Sequence, residues 1–120
     1  MHVFFLVFLH SNKKVRNRWE TPIPCPYRRS EHSSTLIGDT VYFFGGKSPN
    51  YENDIIKYNI NKNEWVTIET SGKIPSGRIG STLVSYNQCL YMFGGYDNYV
   101  QSCSDMYEFN LGNKSCKMRC

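Results

Sequence analysis

His32 is the side chain in this sequence that most invites a catalytic reading, standing in Arg29-x-x-His32 just ahead of an apolar stretch. An imidazole changes charge near neutral pH, so it could move a proton. The groups such a reaction needs are not arranged around it. No Ser-His-Asp order with an elbow motif occurs, and no phosphate loop is built around Gly45-Gly46. Histidines 2, 10 and 32 are too scattered to mark a metal site. The five cysteines, at 25, 89, 103, 116 and 120, are odd in number and contain no CxxC pair. They suggest neither a disulfide framework nor zinc, and reduced thiols in the cytosol or nucleus are the simplest account. His32 therefore reads as a structural residue, and no cofactor is implied.

The remaining polar candidates come in pairs. Arg29 and Arg78 are expected to bond backbone carbonyls or a neighbouring Asp between blades of a repeated structure. Asp54 and Asp105 are expected to anchor a loop through side-chain to backbone bonds. Tyr51, Tyr96 and Tyr99 lie in polar loops with Asn, Asp97 and Lys, and tyrosine gives large contact area at low entropy cost. Tyr51, Tyr96, Asp97 and Tyr99 are the candidate binding residues. The bland alternative is an ordinary solvated turn in each case.

What must position these residues is a strand ending in two glycines. Thr40-Val-Tyr-Phe-Phe-Gly-Gly46 is an apolar run with β-branched and aromatic members, which reads as a strand buried on both faces. Gly45 and Gly46 end it by allowing positive φ or close backbone approach. Cys89-Leu-Tyr-Met-Phe-Gly-Gly95 repeats the device 49 residues later, with Gly94 and Gly95 as its pair. The alignment extends without gaps from Arg29 to Gly46 and from Arg78 to Gly95. Each copy predicts a hairpin, turning at Gly38-Asp39 or Asn87-Gln88. Third strands follow at Asp54–Asn59 and Asp105–Asn110. A fourth begins at Glu64-Trp65, and in the second copy at Ser115-Cys116, close to Cys120.

No stretch keeps a 3.6-residue period, so the fold is expected to be all-β. Four short antiparallel strands in about 49 residues signal a propeller blade, stable when blades stack face to face. Phe44 and Phe93 should then lie in equivalent environments. The expected organisation is an N-terminal hydrophobic then basic segment at 1–18, a strand end and Pro-rich connector at 19–26, and repeats at 27–74 and 75–120.

With these residues in view, the sequence resembles the kelch repeat family. The likeness rests on Gly-Gly after an apolar strand with an aromatic two or three residues ahead of it, Arg-x-x-His ahead of the first strand, and Asp54 opening the third strand. Tyr58 and Trp65 seven residues later complete it. Arg28-Arg-Ser-Glu-His32 before a hairpin also looks like blades of the leucine-zipper-like BTB adaptor subfamily. Trp19 sits where the Trp of a preceding blade would. Ser81 and Cys116 depart from the pattern, standing where His32 and Trp65 would repeat. The resemblance implies a non-catalytic protein-interaction module that presents loops between strands, as in adaptors that select substrates for ubiquitin ligases. Neither nucleic acid nor a membrane is expected as partner. The alternatives are a propeller enzyme of the oxidase or lyase kind, and a non-functional truncated product. Copper oxidases on this fold need a Tyr, His and Cys set that nothing here marks. Two blades cannot close a ring, so the chain is expected to be a fragment, or to self-associate through open blade faces.

The charge balance is uneven. Net charge is +4, and residues 11–30 carry six basic side chains against Glu20. This reads as a solvated arm, with an acidic partner or nucleic acid as the sharper reading; it lacks the interleaved aromatics of a stacking platform. Residues 3–9 are too few to span a bilayer, which takes about twenty. They read as a strand of a preceding unit in a cytoplasmic protein. If they belong to a signal peptide the chain is secreted, and only then would the sequon Asn113-Lys-Ser115 matter.

Overall fold

The structure, a computed structural model, describes residues 26–119 and the backbone of Lys14–Val15 and Arg18–Trp19. Expectations for residues 3–9, for the rest of the basic segment before Pro26, for the connector up to Cys25, and for His2, His10 and Cys120 lie outside the described residues. Lys14–Val15 pairs antiparallel with Arg18–Trp19.

The described residues contain no helix. Two sheets carry the fold. In the first, β1 (Ser33–Ile37), β2 (Thr40–Phe44), β3 (Ile55–Asn59) and β4 (Glu64–Ile68) follow one another as antiparallel neighbours. In the second, β5 (Thr82–Tyr86), β6 (Cys89–Phe93), β7 (Met106–Asn110) and β8 (Ser115–Met118) do the same. The second sheet has a fifth member that sequence reasoning missed. Ser71–Gly72, from the connector between the sheets, pairs in parallel with Ser115–Cys116 along the outer side of β8.

Local chemistry explains the hairpins. At the first turn Gly38 has φ 59°, the requirement of a type II′ turn for glycine at its first central residue. At the second, Asn87 and Gln88 take φ 50° and 63°, a type I′ geometry. Asparagine enters that region readily and glutamine does so under strain. The turns before β4 and β8 match as well: Asn63 and Lys114 stand 51 residues apart with φ 57° and 58°.

Strand alternation gives each sheet two faces. Val41, Phe43, Ile56 and Tyr58 form one buried cluster with Tyr27 and Trp65 packed against it. On the opposite face of the first sheet, Phe44 and Ile55 join Leu83, Leu90, Met92, Tyr107, Phe109 and Cys116 of the second. The core therefore lies between stacked sheets, and β2 is buried from both sides. Hydrogen bonds reinforce the stack between β1 and the second sheet's leading edge: Ser33 Oγ to Ser81 Oγ at 3.1 Å and Thr35 Oγ1 to Ser85 Oγ at 3.3 Å. Cys116, in the place of Trp65, fills less space, and the interface beside it holds a cavity of about 20 Å³, room for roughly one water.

Phe44 and Phe93 share a register, Phe44 across from Ser33 and Ile55, Phe93 across from Thr82 and Met106. Their surroundings differ: Phe44 is 3% exposed and Phe93 51%. The equivalence is one of backbone position, because the second sheet covers Phe44 and the described residues place no sheet over Phe93.

Candidate functional site: loops at the glycine ends of the strands

The glycine pairs fix where the two candidate loops begin. Gly46 and Gly95 both have φ 95°, and a Cβ on either would come within 2.8 Å of a carbonyl oxygen, that of Ser30 or of Ile79. No other residue fits these positions without moving backbone.

An arginine locks each loop base. The Arg29 guanidinium donates to the Gly45 carbonyl at 3.2 Å and forms a two-pronged ion pair with Asp54. Arg78 does the same with the Gly94 carbonyl at 3.0 Å and with Asp105 at 2.5 and 3.2 Å. Hydrogen bonding from Arg78 holds the Asp105 carboxyl below its ordinary range. Arg78 is 2% exposed and lies over the Tyr107 ring, with its guanidinium 5.6 Å from the ring centroid. Both pairs form within one repeat, not between blades as the sequence suggested. The aspartates accept from guanidinium, and Asp105 also accepts from its own backbone N–H as expected. The arginine leads into the same sheet whose third strand the aspartate precedes, so the two meet at one end of that sheet.

At the loop bases the link between sheets runs through the main chain. The Gly46 N–H donates to the Arg78 carbonyl at 3.0 Å, and the Arg78 N–H to the Glu52 carbonyl at 3.1 Å. His32 is buried, with its ring edge-on to Phe43 at 5.5 Å between centroids. Burial first, with the nearby Arg29 charge adding to it, lowers its pKa to about 4.

The loops differ in what they present. In the first, Lys47–Ser48 pairs with Asn50–Tyr51 around Pro49. In the second, Tyr96–Asp97 pairs with Arg78–Ile79. The Tyr51 and Tyr96 rings meet edge to face at 6.4 Å, so the structure brings these two together across the sheets. Tyr99 is apart from them, 83% exposed, and beside it Val100 is 69% exposed.

Asp97 is corrected from a contact residue to an anchor. It is buried, and its Oδ1 accepts the N–H groups of Tyr99, Val100 and Gln101 at 3.0, 2.8 and 3.1 Å. Its other oxygen accepts from Ser76 Oγ at 2.6 Å. Together these bonds, Ser76 foremost, lower its pKa to about 2. A carboxylate so fully engaged has nothing left for a partner. Sequence reasoning missed Ser76 and Val100. An Asp followed by Asn is a known turn former, and that signal could have marked residue 97 as a loop anchor.

Among the described residues no three His, Cys, Asp or Glu side chains converge as metal ligands. The loops offer aromatic and amide surface on a hydrogen-bonded frame, which suits recognition.

Repeated four-stranded antiparallel sheets, stacked face to face and each closed by a glycine pair, define blades of a β-propeller. The model for the KLHDC2/KLHL20/DRC7 Kelch-repeats domain matches residues 3–118, and the chain belongs to the kelch-repeat family. It is 29% identical over 127 residues to Kelch domain-containing protein 3 of Homo sapiens, covering all of this chain and 33% of that protein. It is 34% identical over 99 residues to the N-(sulfonatooxy)prop-2-enimidothioate sulfolyase of Thlaspi arvense, with 79% of this chain and 28% of the relative aligned. Host cell factor 1 of Rattus norvegicus matches at 30% over 90 residues, 75% of this chain and 4% of its own length. The chain thus spans about a third of the length of the Kelch domain-containing protein 3 sequences.

Proposed function

We propose that this chain is part of a kelch propeller that binds a protein partner through its inter-strand loops, with Tyr96–Ser104 as the principal contact. The observation that carries this reading is the Tyr99–Val100 tip, apolar and exposed on a loop that Asp97 holds rigid. Rigid presentation lowers the entropy lost on binding. Tyr51 and Tyr96 offer a second aromatic contact, apart from the tip. In this reading the repeats run over 27–74 and 75–120, within a longer cytoplasmic adaptor or scaffold such as a substrate selector for a ubiquitin ligase. Partners are proteins, neither nucleic acid nor membrane. No helix among the described residues is long and apolar enough to cross a bilayer. Open blade faces would let an isolated chain self-associate.

Affinity capture from cells, quantified for wild type against Tyr99→Ala, tests the reading. A partner enriched by wild type should fall at least tenfold with the variant; equal recovery of every protein would overturn it. A second reading, an enzyme of the lyase kind, rests on the sulfolyase relative alone. Turnover of a sulfated thiohydroximate by the purified chain, lost on denaturation, would favour it over the interaction module.

A further inference from the structure

We propose that the outer edge of the first blade, β4, is a strand-addition site for an extended acidic segment of a partner protein. The two blades differ at this edge. In the second, Ser71–Gly72 covers the start of β8, with Ser71 opposite Ser115 and Gly72 opposite Cys116. In the first, β4 is the last strand of its sheet among the described residues. The sequence gives a reason. Ser71 and Gly72 stand seven and six residues before Arg78; seven and six before Arg29 stand Pro22 and Ile23, with Pro24 next. A proline has no N–H to give to a ladder.

An uncovered edge presents free N–H and C=O groups that an added strand satisfies, with side-chain sites setting specificity. Beside this edge is a cleft of about 320 Å³ that crosses from β4 over β3 and β2 to the second blade, lined by Tyr42, Lys57, Val66, Glu69, Leu111 and Lys114 among others. Val66 is 42% exposed and offers apolar contact. Lys57 lies directly across from Val66, one strand inward. Strands are spaced ~4.8 Å apart, so its long side chain reaches over Val66 to a residue on an added strand. Lys57 and Lys114 make no ion pair among the described residues. Around this edge Lys57, Lys62 and Lys114 stand against Glu64 and Glu69, an excess of positive charge that favours carboxylates in the incoming strand. Ser71–Gly72 also shows what such a strand needs: a Cβ on Gly72 would lie 2.3 Å from the Cys116 carbonyl oxygen, so a glycine belongs opposite Trp65, the counterpart of Cys116.

The probe is a fluorescent ten-residue peptide alternating glutamate with valine or threonine around a central Ser-Gly pair, titrated into the whole chain at low salt. The expected result is saturable binding, slowed amide exchange within residues 64–68, and at least tenfold weaker binding for Lys57→Glu combined with Lys114→Glu. A matched peptide with lysine for glutamate should bind wild type at least tenfold more weakly. Should the double reversal not fold, Lys57→Gln with Lys114→Gln carries the same comparison. Tyr99→Ala should leave the peptide affinity unchanged, which separates this site from the loop surface. Equal binding of the two peptides, protection confined to residues 96–104, no binding at millimolar peptide, or protection of 64–68 without peptide in a dimer of the chain would overturn the proposal.

Discussion

The two blades have one backbone plan and two kinds of surroundings. The first is closed in: Phe44 and Ile55 are covered by the second sheet, while Val41, Phe43, Ile56 and Tyr58 are buried on its other face. The second is buried on the face that meets the first, and its other face leaves Val84, Tyr86 and Phe93 half or more exposed. The difference teaches that the repeat sets register and hydrogen bonding, whereas burial depends on neighbours. Blade identity and blade stability are therefore separate properties, and paired substitutions can tell them apart.

Phe44→Ala should cost about 3–5 kcal/mol, the range for removing a buried aromatic, and Phe93→Ala under about 1 kcal/mol. Urea unfolding of both variants measures this. Equal losses would mean that something covers Phe93 in solution. Arg78→Ala, which strands Asp105 beside a nearly buried site, should cost about 3 kcal/mol, and Arg29→Ala less, since Arg29 is slightly more exposed and Asp54 faces solvent to a similar degree. A larger loss at Arg29 would reverse the ranking of the two loop bases.

His32 gives the first blade a pH response that Ser81 cannot give the second. Its folded pKa of about 4 lies below the ordinary value of 6.5, so the unfolded chain binds the extra proton between those limits. Its contribution is complete above pH 6.5 and is lost as pH falls toward 4. Thermal melts should show His32→Asn less sensitive than wild type over that window. An identical slope would remove His32 from the response.

Two smaller effects sharpen the comparison further. Cys116→Leu should stabilise by about 1 kcal/mol by filling the void that the shorter side chain leaves. Gln88→Gly should stabilise by about 0.5–1 kcal/mol by relieving the left-handed residue, while Gly38→Gln should destabilise the first hairpin by a similar or larger amount. Midpoints of chemical denaturation report both.

Much of this architecture was legible. The alternation in Thr40–Phe44 and Ile55–Asn59 fixed which side chains share a face, and the 49-residue offset placed the hairpins and glycine pairs. The site was less legible, because its key facts are contacts between distant segments. Asp97 looked like an exposed loop acid and is a buried anchor, since Ser76 and three backbone N–H groups converge on it from the fold. Tyr51 and Tyr96 meet only because the sheets stack. Ser71–Gly72 carries no strand signal of its own; it is two small residues that pair where β8 offers a ladder.

The main-chain clasp between the blades has a consequence for how such a protein can change. Because Gly46, Glu52 and Arg78 are joined through peptide groups, exchanging the side chain of Glu52 or its neighbours leaves those bonds in place. Loop tips such as Tyr99–Val100 can thus diversify toward new targets while the spacing of the blades beneath them is kept.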